Sequence, residues 1–364
     1  MKGKGRIPMN TIVAVILLLG GCLSLLPFAS ARVSGRRRAV WRGGALVGPP
    51  QSVRLGTIPS DAEIVYHQDG LIYVMNRPRG LVSGVTFDNP RRWEHVAVSH
   101  DRRFVVANEQ LPNPTGEAGG LSRLWIFDLT AGTEARLLPE FLTAGNGGVD
   151  WDARGFIYFA AKEKNPVLHP QSRAEFLANA GANDIYRVRY DGSGLQSLLH
   201  TPLAGEADVS VSEDGSLVAF HSQPLDDEAH TELWFMNADG SNPRLIYRGG
   251  ANRVSSVHDP ELSPGNLDIV FSKVNSDVPP NFPGNPDANT AHDIWRVRID
   301  GTDAKRLTLP GPISITPDWK GDEVLFLHIS ETERYAGLAV IRADSREQNP
   351  SRLGSGPNIP KWIP

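Results

Sequence analysis

Apolar and polar residues alternate along most of the chain with a period of two, which is typical of β-strands buried on one face. The segments IYRV, LWFM and IWRV have this alternation. Polar turns such as NADGSN and IDGTD follow them, and Asp-Gly in such a turn is a strong signal for a β-hairpin. The pattern therefore predicts many short antiparallel strands joined by tight turns.

The strands belong to a unit that recurs along the chain. Each copy has a first segment ending in Trp or an aliphatic residue, then an apolar strand, a variable loop, another strand, a polar turn and a last strand. A clear copy reads ADVSVSEDGSLVAFHS, followed by ELWFMNADGSNPRLIY. The residues that end the first segments are Val98, Trp151, Val211, Leu262, Trp319 and Trp362. Their spacing of about 43 to about 60 residues is near or above the period of a propeller blade.

The two ends of the repeat region complement each other. The strand AEIVYHQ begins the repeats at residue 62 and has no first segment before it. At the other end, IPKW has the pattern of a first segment but has no strands after it. We therefore expect IPKW to pair with AEIVYHQ. This pairing predicts an all-β, six-bladed β-propeller with four-stranded blades over residues 61–364, closed into a ring that leaves no exposed strand edge.

The repeat also resembles a known family. The segments SVSEDGSLVAF, ELWFMNADGSNPRLI and DIWRVRIDGTDAKRLT are similar to the repeats of TolB-like β-propellers, and the resemblance covers about residues 60 to 364. That family includes the periplasmic TolB protein of the cell-envelope Tol system and many exported propellers, and similar repeats form the propellers of some peptidases. TolB has an α/β domain ahead of its propeller, where this chain has a predicted linker. The resemblance therefore implies a propeller that binds something in the cell envelope.

The N-terminal segment has the features of a targeting signal. Three basic residues precede an apolar run at residues 11–26, and Ala29-Ser30-Ala31 fits a cleavage site with small residues. Two alternatives stay open: Leu-Gly-Gly-Cys resembles a lipobox, which would place a lipid on Cys22, and the apolar run is long enough for an uncleaved anchor. Residues 1–31 are thus a predicted signal peptide or membrane anchor, and residues 32–60 an Arg-, Gly- and Pro-rich linker.

Composition narrows the classes of function. The formal net charge of −4 provides no broad basic surface for nucleic acid. The single cysteine excludes a disulfide within the chain and a cysteine-based zinc site. The chain has neither a G-x-S-x-G elbow nor an H-E-x-x-H motif, so no catalytic residues are predicted.

One end of the predicted propeller is more elaborate than the other. All the long insertions fall between the second and third strands of a unit, while the Asp-Gly turns at the other end are short. Loops on a rigid scaffold often carry function, although neutral insertions are also tolerated because loop closure costs little extra with length. The insertions span residues 111–120, 162–183, 223–231, 275–292 and 330–337.

The first strands begin at that same end, and they begin with ionisable residues. These are Glu94, His95, Asp208, His258 and Asp259. Converging imidazoles and carboxylates suit a divalent metal or another ligand at the mouth of the central channel. The alternative is a set of polar groups that face a wet channel and hydrogen-bond across blades.

A second candidate for a metal lies in the longest Asn-, Asp- and Pro-rich loop. Asp277, Asp287, Asn289 and Asp293 offer alternating oxygen ligands, which suit calcium. The loop lacks the glycine and final glutamate of an EF-hand, and turn formation also explains its composition. No other cofactor is predicted.

These observations favour a non-catalytic binding or scaffold protein of the cell envelope. We expect an exported, periplasmic or cell-surface chain, monomeric, that binds a protein or glycan partner with the long-loop face and the channel mouth. The alternative function is a metal-assisted polysaccharide lyase or hydrolase that acts at the channel mouth, and it rests on analogy between folds alone.

Overall fold

The computed structural model describes most of the predicted propeller and little of the N-terminal segment. The described residues are 40–42, 45–47, 57–79, 81–85, 90–111, 122–140, 142–163, 183–201, 204–224, 231–249, 256–275, 291–330, 332–356 and 358–364. The predicted signal peptide or anchor, with Cys22, lies outside them. Within these ranges every long regular element is a β-strand, so the all-β prediction is confirmed.

The predicted linker contains a short hairpin. It consists of β1 (Val40–Arg42) and β2 (Ala45–Val47), which pair antiparallel. The described ranges include no helix with the length and apolarity needed to cross a membrane.

Within the described ranges, antiparallel pairing groups the remaining strands into six sets of four, which we call units. Unit 1 contains β3 (Ile64–Gln68), β4 (Leu71–Asn76) and β5 (Leu81–Gly84), and its fourth strand is β26 (Asn358–Trp362). Unit 2 contains β6 (Trp93–Val98), β7 (Phe104–Gln110), β8 (Ser122–Asp128) and β9 (Thr133–Arg136). Unit 3 contains β10 (Leu142–Trp151), β11 (Phe156–Glu163), β12 (Asp184–Arg189) and β13 (Gln196–Leu199).

The other three units follow the same order. Unit 4 contains β14 (Ala204–Val211), β15 (Leu217–Pro224), β16 (Glu232–Asn237) and β17 (Arg244–Arg248). Unit 5 contains β18 (Val257–Leu262), β19 (Asp268–Asn275), β20 (Ala291–Arg298) and β21 (Lys305–Arg306). Unit 6 contains β22 (Ile313–Lys320), β23 (Glu323–Ser330), β24 (Tyr335–Arg342) and β25 (Ser351–Ser355). Single residue pairs join unit 2 to unit 3 (Ser122 with Ala144) and unit 5 to unit 6 (His292 with Ile313).

Unit 1 combines the two ends of the repeat region. Strand β26 pairs antiparallel with β3, with Trp362 opposite Ile64 and Lys361 opposite Val65. The first strands of successive units, from β6 to β22, are in contact, and β26 contacts both β22 and β6.

Apolar side chains fill the spaces between neighbouring units. Between units 1 and 2, Val65 and Val74 pack in one cluster with Val105 and Phe127. On the opposite side of unit 1, Tyr66 packs with residues of unit 6. Full burial of a large apolar side chain contributes roughly 1.5–3 kcal/mol. Packing between units therefore holds each first strand against its neighbours, which positions the site described next.

Every first strand contains a break in register at the same place. In β14 the break lies between Ala207 and Ser210, and the other first strands have equivalent breaks. Four non-glycine residues in the described breaks have positive φ, namely Asp208 (51°), Asp259 (50°), Thr316 (52°) and Ile359 (26°). Such bulges bend a strand and re-aim its side chains. Here one position in each break lines a common central pocket.

Candidate functional site

The first strands surround a small pocket of about 50 Å³. Residues from all six units line it. A volume of this size has room for an ion or a few waters and is far below that of a site for an organic ligand, roughly 300–1,000 Å³. Any larger partner must therefore bind around the opening and not within it.

The pocket has two layers of side chains. The residues in the register breaks form what we call the mouth layer, which is nearer the start of each first strand. It consists of His95, Gly148, Asp208, Asp259, Thr316 and Ile359. A second set of residues lies two positions further along the strands and contains three carboxylates and one ammonium group. We call it the lysine layer. It consists of Asp150, Glu261, Asp318 and Lys361.

Asp208 lies at the centre of the ionisable groups of the mouth layer. Its Oδ2 atom is 2.6 Å from Nδ1 of His221, which is on the second strand of the same unit. The ring of His221 meets the ring of His258 edge to face, with 5.3 Å between centroids and 85° between planes. One ligand atom from each of Asp208, His221 and His258 lies within 4.8 Å of the others. This set has the residue types and spacing to hold a metal ion.

Asp259 joins the mouth layer of unit 5 to its neighbours. Its backbone N–H donates to Oδ2 of Asp208 at 3.3 Å. Its own Oδ2 accepts hydrogen bonds from Ser272 Oγ at 2.7 Å and from the backbone N–H of Thr316 at 3.1 Å. The carboxylates of adjacent units are thus fixed by backbone and side-chain donors.

Burial and mutual charge set the protonation states of the mouth layer. Burial alone would raise the pKa of Asp208, but His221, His258 and His95 outweigh it and hold that pKa below its ordinary value. Burial would lower the pKa of His221, but Asp208 reverses the shift and raises it. Burial, with the charge of His221, lowers the pKa of His258 to about 3. At neutral pH a negative Asp208 therefore lies beside a neutral His258, and its charge favours the protonated form of His221.

The other ionisable groups at the mouth are in their neutral forms over much of the acidic range. Burial, together with the charge of Asp208, raises the pKa of Asp259 to about 7. Burial lowers the pKa of His95 to about 4. Burial also raises the pKa of Glu94 to about 7, against a hydrogen bond from Ser122.

The five residues singled out from the sequence do not all converge. Asp208 and His258 lie together, and Asp259 contacts Asp208 through its backbone. His95 lines the same pocket on another strand. Glu94 is buried and accepts a hydrogen bond from Ser122 Oγ at 3.2 Å, so it is directed into its own unit.

Sequence reasoning missed His221. It lies in the apolar second strand LVAFHSQP, where the histidine looks like an ordinary polar interruption. The register between β14 and β15 places His221 beside Asp208, because His221 is paired with Ala207, which immediately precedes Asp208.

The lysine layer was also missed. The Nζ atom of Lys361 is 3.2 Å from Asp150 Oδ1, 3.5 Å from Glu261 Oε2 and 3.7 Å from Asp318 Oδ1. Burial would lower the pKa of Lys361, but the three carboxylates reverse the shift and raise it. Burial raises the pKa of Glu261 well above its ordinary value, in spite of Lys361. The sequence carried a signal, since each of these residues immediately precedes the Trp or Leu that ends a first segment.

The predicted calcium loop lies mostly outside the described residues, which include only Asp293 of its four candidates. Asp293 is buried, and its Oδ2 accepts a hydrogen bond from Asn275 Nδ2 at 2.6 Å. Burial raises the pKa of Asp293 to about 6. The calcium site thus stays a prediction.

Comparisons with known proteins identify the fold. No family model matches the chain, and no curated protein matches it either. Among solved structures, TolB from Acinetobacter baumannii is similar at 13% identity and a TM-score of 0.56, over 84% of this chain and 68% of that one. A chain of a nidogen/laminin complex is similar at 10% identity and a TM-score of 0.56, over 83% and 98%. An oligogalacturonate lyase in complex with manganese is similar at 14% identity and a TM-score of 0.50, over 78% and 70%.

Repeated four-stranded units around a central pocket, together with these likenesses, define a β-propeller. The fold is that of a TolB-like β-propeller, as the repeat predicted. At 10–14% identity the likeness concerns the fold alone.

Proposed function

We propose that this chain is an exported, six-bladed β-propeller that binds a protein or glycan partner in the cell envelope. The partner binds at the end where the first strands begin.

The blade count and closure of the ring are supported by strand pairing. There are six four-stranded units, and the last strand, β26, supplies the fourth strand of unit 1 through its pairing with β3. Contacts of β26 with both β22 and β6 support a continuous circle of first strands. Such closure leaves no unit with a free inner edge, which is how propellers avoid edge-to-edge association.

The observation that carries the binding role is the asymmetry of the two ends. In an antiparallel unit, the start of the first strand and the connection between the second and third strands lie at the same end. The long segments 112–121, 164–182, 225–230 and 276–290 all fall between second and third strands. The end with the polar mouth layer is therefore also the end with the longest connections, and these can surround a partner too large for the pocket.

One observation favours the enzymatic alternative. A metal-assisted lyase or hydrolase needs at least three His or carboxylate ligands near one ion, and Asp208, His221 and His258 meet that number. A sugar would also need space beside the ion, and a pocket of about 50 Å³ does not offer it among the described residues. Binding at the rim is thus the better supported function.

Export rests on the sequence of the N-terminal segment. The basic start, the apolar run at residues 11–26 and Ala29-Ser30-Ala31 support a cleaved signal. Intact-mass measurement of the mature chain distinguishes the three fates. Loss of residues 1–31 supports cleavage there, a lipid-modified chain beginning at Cys22 supports lipidation, and an unprocessed mass supports an anchor.

The binding face is tested by site-specific photo-crosslinking in the native envelope. A photoreactive residue replaces exposed Glu163 or Thr332, which flank second-to-third connections. Matched control variants carry it at Asp191 or Asp239, which are exposed in turns between third and fourth strands at the opposite end. We expect crosslinked adducts from the first pair only. Adducts of equal yield from both pairs, or from the control pair alone, would exclude the proposed face.

A further inference from the structure

Three side chains from two adjacent units meet at one side of the pocket. Asp208 lies in the register break of β14, His221 on the neighbouring β15, and His258 on β18 of the next unit. Their candidate ligand atoms are all within 4.8 Å of one another. Rigid strands supply all three, so their separation does not depend on a long loop.

We infer that Asp208, His221 and His258 are the protein ligands of a site for a divalent transition-metal ion. The inference goes beyond the proposed partner binding and does not depend on it. Two imidazole nitrogens and one carboxylate oxygen suit zinc, manganese, iron, cobalt or nickel, whereas calcium and magnesium prefer oxygen ligands throughout.

The surroundings of Asp208 agree with this role. The backbone N–H of Asp259 contacts Oδ2 of Asp208 at 3.3 Å and helps to fix the orientation of that carboxylate.

Three protein ligands leave coordination positions open. Of the three ligands, Asp208 lines the pocket, so an open position on its side of the ion would face the pocket interior. An ion with three protein ligands and an open position can take water or an oxygen atom of a bound partner. The site would thus provide one strong contact at the centre of the mouth.

The test is metal titration of the full chain after treatment with a chelator. Zinc, manganese and cobalt are added one at a time, with calorimetry as the readout and the visible absorbance of bound cobalt as a second. We expect one ion per chain for at least one of these metals. We expect Asp208→Asn, His221→Gln and His258→Gln each to weaken binding by about tenfold or more. Asn tolerates the positive φ at position 208, so that variant preserves the backbone.

The matched control is His200→Gln. His200 is paired with Asp184 at 2.7 Å in the same way that His221 is paired with Asp208, but it lies on the surface, away from the pocket. This variant should bind metal as the unchanged chain does. Circular dichroism and unfolding midpoints of the metal-free variants show whether each still folds.

Two outcomes would overturn the inference. One is a chain that binds none of the metals in a saturable manner. The other is binding that His221→Gln and His258→Gln leave unchanged while both variants remain folded. Crosslinking of the partner is run separately on chelator-treated cells, so failure of the partner proposal and failure of the metal site give different results.

Discussion

The mouth layer and the lysine layer lie two residues apart on the first strands, yet they are electrostatically different. The lysine layer contains its own cation, because Lys361 lies within 3.7 Å of all three carboxylates. The mouth layer has no lysine or arginine among its six residues, and only imidazoles balance Asp208. A layer that carries its own counter-ion is structural, whereas one that relies on titratable imidazoles can exchange a proton for a ligand.

Lys361→Met is expected to have the largest effect on the contrast between the two layers. The change leaves three buried carboxylates without their cation, and removing one partner of a buried ion pair typically costs about 3–5 kcal/mol. We expect a loss of that size in the free energy of unfolding, measured with urea at pH 7. Lys305→Met, at a partly exposed position, is the matched control and should change stability little. A loss below about 1 kcal/mol would show that the lysine layer does not hold the propeller together.

Glu94→Gln examines a buried carboxyl group beside the mouth. Its pKa of about 7 in the folded chain lies above the ordinary 4.5, so the folded state retains the proton longer than the unfolded state. The stability that Glu94 contributes is present below about pH 4.5 and is lost as the pH rises through about 7. Gln does not ionise, so the variant should gain on the order of 2 kcal/mol over the unchanged chain at pH 8, with little difference at pH 4.

Unfolding free energies of both chains at the two pH values measure this difference. Glu140→Gln, at an exposed position, is the matched control and should show no such pH dependence. Equal stability of the Glu94→Gln and unchanged chains at pH 8 would contradict the burial of a neutral Glu94.

Asp208→Asn tests the imidazoles that balance the mouth layer. The variant removes the negative charge that does most to raise the pKa of His221 against burial, so that pKa should fall. Only the balance between the two protonation states of one imidazole changes, so we expect a smaller effect than in the previous two cases. Proton NMR of the imidazole Cε1–H signals measures it, and His200 serves as an internal reference. An unchanged pKa of His221 would show that its pairing with Asp208 does not control its charge.

The smallest effect is expected for an ion pair outside both layers. Arg342 and Asp322 are 2.7 Å apart, but more than half of each side chain is exposed. Exposed pairs contribute little because water and salt screen them. Asp322→Asn should change the unfolding free energy by less than about 0.5 kcal/mol. A loss comparable to that of Lys361→Met would mean that burial does not explain the contrast.

The sequence predicted the strands and their pairing better than it predicted the site. IPKW lacked strands of its own and AEIVYHQ lacked a partner, and the two do pair as β26 and β3. Asp208 and His258 were found because first strands begin at one end. His221 was not found, because a register break decides which residue of a second strand lies beside Asp208.

The charges of the lysine layer were equally hard to predict. Lys361 and Glu261 are separated by 100 residues along the chain, and nothing in the sequence of either strand indicates the other residue. Only the convergence of first strands brings them together. Alternation within one strand gives the side of the strand that is buried, but it does not give the residues of other units that share that space.

Strand β26 has a consequence for the order in which the molecule is assembled. A ribosome delivers Asp150, Glu261 and Asp318 before it delivers Lys361, so the three carboxyl groups have no counter-ion in their layer until the last unit is completed. Up to that moment the edge of β3 is also unpaired. One short segment therefore supplies both the missing backbone partner and the missing counter-ion. A prematurely terminated chain lacks both at once. We expect it to be less stable than the finished propeller and to be degraded more readily by proteases.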